Sequence, residues 1–298
     1  MPTADVMRVL LARLIDDAGL FPPARLPMPD ALAANRWVAA DEHAGLVGRF
    51  LVPVSRLEEF AGVAGASAPE LGVVVDTLGL EPDAASIDAV ATCVEKYQPS
   101  SIEVLASGGP AGTLGRVLDG FSALPDQTAL YVELPPFDFH DDWRGAIETL
   151  GAARANRRNV GAKVRCARTA SDHALTEDEL ARFVVACRQS GTPFKATAGL
   201  HHAIRHTQDD GLERHGFLNV LLACAVALRG SPDDAVASVL AERSADVVLG
   251  GVESLTVEDA FRVRTELLAG FGCCNPAEPI DDLHTLGLLG PLGLIEGI

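Results

Sequence analysis

Residues 161–197, GAKVRCARTASDHALTEDELARFVVACRQSGTPFKAT, hold one whole unit of the repeat that decides the fold. GAKVRC (161–166) and PFKAT (193–197) are short and alternate in polarity as strands do. Between them Leu180, Phe183, Val184 and Cys187 recur at helical spacing. Thr176 with Glu179 three residues on forms a capping box ahead of that face. Strand, helix and strand in this order make a right-handed parallel crossover.

The unit extends toward the N-terminus through strands Leu71–Asp76, Ser101–Leu105, Ala129–Leu134 and, earliest, Arg49–Val54. Helical patterns fall at about 83–97, 112–122, 141–158 and 176–189. Such repeats close into a barrel or open into a doubly wound sheet. No GxGxxG follows the first strand, and Gly108-Gly109 with Gly112 is interrupted by Pro110. The reading is therefore α/β, a (β/α)8 TIM-type barrel over residues 1–298 as a single domain. An N-terminal helix and the apolar tail Leu286–Ile298 are expected to pack on it, the tail against the body or another subunit. The first strand should lie near Leu14–Leu20, and the closing strand near Val247–Gly250 or Leu268–Cys273. Residues 201–216 read as a polar loop leading into a helix from Phe217 to Leu228.

Composition narrows the partners. With 41 acidic against 24 basic residues the net charge is -17, which repels nucleic acid and anionic membranes alike. Cations are scarce, so a cluster of them is informative, and it points to a small anionic substrate. Hydrophobic residues make up 48%, ample for a large aliphatic core. Cys93, Cys187 and Cys224 read as core residues, and no CxxC pair exists. The opening segment carries Arg8 and Arg13 among its apolar residues, unlike a secretory leader, so a cytoplasmic enzyme is expected. A mean hydropathy of +0.20 and the apolar tail suggest a homo-oligomer.

The strands that should be apolar carry ionisable residues instead: Asp76, Glu103, Glu133, Lys163 with Arg165, and Lys195. Alternation places each opposite its apolar neighbours, and helices cover the outside, so the charged face should be the barrel interior. Buried charges demand partners or a ligand. A single such residue could as well be a solvated strand edge, and the whole set a static ion-pair network. Arg165 offers a fork for carboxylate or phosphate. With Lys195 near Lys163, like-charge repulsion should lower the pKa of one lysine and make it a nucleophile.

The strand ending Lys195-Ala196-Thr197-Ala198-Gly199 resembles the Schiff-base lysine strand of the deoxyribose-phosphate aldolase group of class I aldolases. That resemblance implies a (β/α)8 barrel and carbon–carbon lyase activity on a carbonyl substrate, often phosphorylated, with no bound cofactor. It implies Lys195 as the imine lysine, Lys163 as the neighbouring cation, and Asp76 or Glu133 in proton transfer. In that group the companion lysine follows the nucleophile, whereas Lys163 precedes Lys195 here.

Thr197, His201, His202, Arg205 and Asn219 cluster near that strand as candidates for substrate binding, with Glu103 and Asp17. They read equally as exposed loop polars. Asp16-Asp17 should send one carboxylate into the pocket. Cys273-Cys274 reads as packing more readily than as a reactive thiol. A different class of reaction uses Asp76, Glu103 and Glu133 as Mg²⁺ ligands with Lys163 as base, a pattern similar to the enolase superfamily. A barrel that only binds a small anion is the non-enzymatic reading. Lys195→Ala is expected to remove turnover while sparing the fold.

Overall fold

The computed structural model describes residues 2–289 except 41–44, 66–67, 77–83, 107–109, 135–141, 157 and 168–174. Eight parallel strands close into a barrel. They are β1 (Ile15–Asp17), β2 (Val47–Pro53), β3 (Leu71–Val75), β4 (Ser101–Leu105), β5 (Ala129–Glu133), β6 (Val160–Arg165), β7 (Phe194–Thr197) and β8 (Leu268–Cys273). Neighbours follow chain order except at the seam, where β8 lies between β7 and β1. The expected fold class is the observed one. Phe271 pairs with Ile15, and its amide donates to the Leu14 carbonyl at 2.9 Å.

The alternative closing segment near Val247–Gly250 is helical instead, within the helix Ala245–Glu253. The Ser244 hydroxyl accepts from the Val247 amide at 3.4 Å and starts that helix. The unit read first from the sequence keeps its boundaries to within one residue. The helix Glu177–Ser190 begins at the Thr176–Glu179 capping box and stops at Gly191, whose φ of 65° suits a residue without a Cβ. Its inward face stacks Phe183 edge-on against Phe194 of β7, with ring centroids 5.3 Å apart. Trp143 lies on the other side of Phe183 at 5.9 Å. Each such side chain removed from water stabilises the fold by about 1.5–3 kcal/mol.

The helix Ala4–Leu11 buries Val6, Met7, Leu10 and Leu11 beneath the barrel. Leu288 and Leu289 are buried too and Leu286 packs partly buried against the core, while residues 290–298 of the expected tail lie outside the described residues. The loop at 201–216 holds a short antiparallel pair, His206–Thr207 with Glu213–Arg214, and the helix Phe217–Leu228 follows as expected. Among the described residues no helix is long and apolar enough to cross a membrane.

Candidate active site

Ion pairs across the lumen identify the inner face. Glu103 on β4 and Lys195 on β7 are separated by two intervening strands, yet their side chains are in direct contact. Only a chord through the interior can join them. Lys195 Nζ also contacts Asp16 of β1, from the far side of the seam. Lys163 Nζ of β6 lies 2.9 Å from Glu103 Oε2 and 2.8 Å from Glu133 Oε2. Arg165, one layer nearer the mouth, donates from Nε to Glu133 Oε1 at 3.0 Å. Below, the Arg49 amide and guanidinium reach Asp16 at 2.7 and 3.3 Å.

Space for these long side chains comes from small residues at the same level. Gly72, Gly161, Gly270 and Gly272 pair in register with Ser101, Tyr131, Lys195 and Thr197 of adjacent strands. A Cβ on Gly161 would lie 2.9 Å from the Tyr131 ring. Lys195 Nζ stands 5.6 Å from the centroid of that same ring.

The charges are graded by depth. The Lys195 side chain is 1% exposed and Asp16 0%, whereas Lys163 is 7%, Glu133 9% and Arg165 35%. The deep pair forms a floor, and Lys163, Glu133 and Arg165 face the C-terminal opening, where barrel enzymes place their chemistry.

Pairing decides the protonation states. Burial pushes Glu103 upward, but Lys163 and Lys195 outweigh it and hold its carboxyl at about 2. Glu133 is likewise lowered by Lys163 and Arg165 against its burial. Burial alone would pull both lysines down. Glu103 and Glu133 instead raise Lys163, and Asp16 with Glu103 raises Lys195. The expectation that one lysine is deprotonated by its neighbour is therefore corrected: a carboxylate stands between the two ammonium groups. Because the folded pKa of Glu103 lies below the ordinary 4.5, its stabilisation is complete above that value. It is lost as pH falls from about 4.5 toward about 2. Urea titrations across that range should show falling stability, and the Glu103→Gln variant should show a shallower fall.

Other expected residues lie elsewhere. Asp76 follows the end of β3, exposed, and accepts from the Ser55 amide at 3.0 Å and from its hydroxyl. It does not join Glu103 and Glu133, whose oxygens are already bridged by lysines. Among the described residues no three carboxylate, His or Cys groups are placed to hold a metal ion, and Asp76 lies apart from the two glutamates grouped with it in the enolase-like reading.

Asp17 points out of the lumen, accepting from the Gly19 amide at 2.9 Å and Asn35 Nδ2 at 3.0 Å. The carboxylate that enters is Asp16, because alternation sends adjacent residues to opposite faces. Arg205 is buried and bridges Glu177 and Glu213 at 2.5 and 3.3 Å. Asn219 accepts from the Arg205 amide and donates to the Val239 and Glu242 carbonyls, tying the loop to the body. Their polar groups are structural rather than free for substrate. His215 beside them is pushed down to about 4 by burial and donates from Nε2 to the Leu175 carbonyl, 2.7 Å away.

Thr197 remains half-buried on the inner face above Lys195. Beyond it Ala198 and Gly199 both take positive φ (63° and 77°), which turns the chain sharply. His202 then meets Asp282 at 3.2 Å. His201 is carried toward β8, to Glu278 and to the cysteines that end that strand.

Of the Asp16-Asp17 pair it is Asp16, and not the candidate Asp17, that joins the site, and Arg49, which begins the expected strand Arg49–Val54, joins it without a signal in the sequence pattern. Among the described residues the ion-paired set holds four cations (Arg49, Lys163, Arg165, Lys195) and three carboxylates (Asp16, Glu103, Glu133). A scan against protein-family models gave no match, and a search of curated proteins found no relative.

Proposed function

We propose that this barrel is an enzyme acting on a small carbonyl compound that carries a carboxylate or phosphate, through an imine on Lys163. The observation that carries the reading is that, among the described residues, the ion-paired set in the lumen holds more cations than carboxylates, in a protein whose net charge is -17. That excess favours an anion, and Arg165, the most exposed of the cations named, is the group to grip it.

Substrate binding supplies the trigger that the resting state lacks. Arg165 holds Glu133 low while the site is free. An anionic group that takes over Arg165 removes one of the two cations on Glu133, so Glu133 becomes basic enough to accept the Lys163 proton. The free amine adds to the carbonyl carbon, and loss of water leaves the iminium. The carbon–carbon bond beside it then breaks toward nitrogen as Glu133 or Glu103 accepts the proton of the hydroxyl on the departing carbon, which yields an enamine and a second carbonyl product. Return of a proton to the enamine carbon and addition of water release the first product and free Lys163. Lys195, sealed beneath, keeps Glu103 ionised and is a positioning residue. This exchanges the two lysine roles that the aldolase resemblance implied.

Both lysines are held charged at rest, which favours a second reading: Lys163 stays protonated and polarises the carbonyl without a covalent bond. Borohydride trapping with a panel of 2-oxo acids and phosphorylated aldehydes, followed by peptide mass mapping, separates them. A reduced adduct on Lys163 is expected. No adduct across the panel, or one on Lys195 alone, overturns the imine reading.

A further inference from the structure

At the same mouth, beyond the seam strand, stands a group of side chains that the lumen chemistry does not use. Cys274 Sγ lies 3.7 Å from His201 Nε2, within hydrogen-bond range for sulfur. The other ring nitrogen of His201, Nδ1, lies 2.5 Å from Glu278 Oε2. Glu278 is itself held, its Oε1 accepting from Asn275 Nδ2 at 3.0 Å. Nucleophile, base and orienting carboxylate thus stand in line, each contacting the next, as an activated nucleophile requires.

The two adjacent cysteines differ. Cys273 is buried and donates to the Asn275 carbonyl at 3.2 Å; its 3.7 Å approach to His201 is to the nitrogen already engaged by Glu278. Cys274 is half-buried and meets the open nitrogen. Burial pushes the Cys274 thiol up, opposed in part by the backbone of Ala24 and of Cys274 itself, so its proton needs the acceptor that His201 Nε2 provides.

We propose that Cys274 is a second reactive centre, a nucleophilic thiol served by His201 and oriented through Glu278, that takes small uncharged acyl groups. Its sulfur attacks an acyl carbonyl carbon while its proton passes to His201 Nε2. The tetrahedral adduct collapses, the bond to the leaving group breaks, and His201 returns the proton to that group. Water activated by the same nitrogen then hydrolyses the thioester and frees the thiol. The choice of an acyl group without negative charge rests on Glu278, whose carboxylate beside His201 repels an anion. This site is chemically distinct from the cationic lumen and does not depend on Lys163.

The full chain mixed with p-nitrophenyl acetate should release a burst of one equivalent of nitrophenol, with acetyl on the peptide carrying residues 273–274. The burst should vanish in Cys274→Ala and persist in Lys163→Met. Iodoacetamide should label Cys274 faster than it labels a free thiol at neutral pH, with a pH midpoint set by His201 against the burial that raises the thiol. His201→Ala should slow both reactions by roughly 100-fold and move that midpoint upward. Glu278→Gln, an isosteric change on a half-exposed residue, should slow them by about 10-fold, and its unfolding curve shows whether the fold is kept. Acetylation elsewhere only, alkylation no faster than free thiol, or rates unchanged in folded Glu278→Gln and His201→Ala overturns the proposal.

Discussion

Glu103→Gln is expected to lower the unfolding free energy by about 3–5 kcal/mol, as breaking a buried ion pair does. The two oxygens of Glu103 are divided between the lysines, Oε1 to Lys195 and Oε2 to Lys163. Glutamine keeps the volume, so no cavity term enters. It turns one oxygen into a donor facing an ammonium and leaves two like charges with nothing between them. The pH dependence carries a signature. In the native protein both lysine pKa values are raised, so their contribution is full below the ordinary 10.5 and lost above it. In the variant Lys195 keeps Asp16 and Lys163 keeps Glu133, so both lysines are raised less and the loss of stability toward alkaline pH is smaller. Denaturant unfolding from neutral to alkaline pH should show a shallower slope in the variant. A loss below about 1 kcal/mol with parallel curves would mean that the network carries little weight.

Lys163→Met is expected to cut turnover, on whichever carbonyl compound gives the trapped adduct, by at least about 1,000-fold. The fold should suffer less than in Glu103→Gln. Glu103 keeps Lys195 and Glu133 keeps Arg165, so the loss should be about 1–3 kcal/mol. Lys163→Arg sharpens the test, since it preserves the positive charge but cannot form an imine. A dead Lys163→Arg enzyme with native stability supports the covalent route. One that keeps a tenth or more of the native rate assigns Lys163 to polarisation, and full activity in Lys163→Met would remove the residue from the chemistry.

Much of this arrangement was legible beforehand. Charges at alternate positions in otherwise apolar strands have few physical explanations, and Glu103, Glu133, Lys163, Arg165 and Lys195 converge as that alternation required. What could not be read was which charge neutralises which. Glu103 and Lys163 belong to strands that do not pair with each other, so their contact depends on the barrel's curvature and not on local pattern. Depth was hidden for the same reason. The expectation that Lys195→Ala would spare the fold took the residue for a pocket group. Sealed between Asp16 and Glu103, it reads as a structural cation, whose removal should destabilise the barrel.

Asp76 failed through a one-residue matter: β3 ends at Val75, and the next carboxylate is free to turn toward Ser55. Asp17 failed through parity, because a three-residue strand gives too little alternation to say which of two aspartates faces in. Arg205 and Asn219 sat where substrate groups sit in sequence, yet loop anchoring uses the same residue types as ligand binding.

The position of β8 between β7 and β1 has a bearing on how the chain reaches this state during synthesis. Seven of the strands emerge from the ribosome before the one that shuts the cylinder, so a growing polypeptide carries an open sheet with two bare margins. Asp16 and Lys195 would face each other there across an unfilled gap. A circularly permuted gene that begins just ahead of residue 268 would move the seam to β7 and β8, so that the pairing of Lys195 with Gly270, and not that of Asp16 with Gly272, would form last.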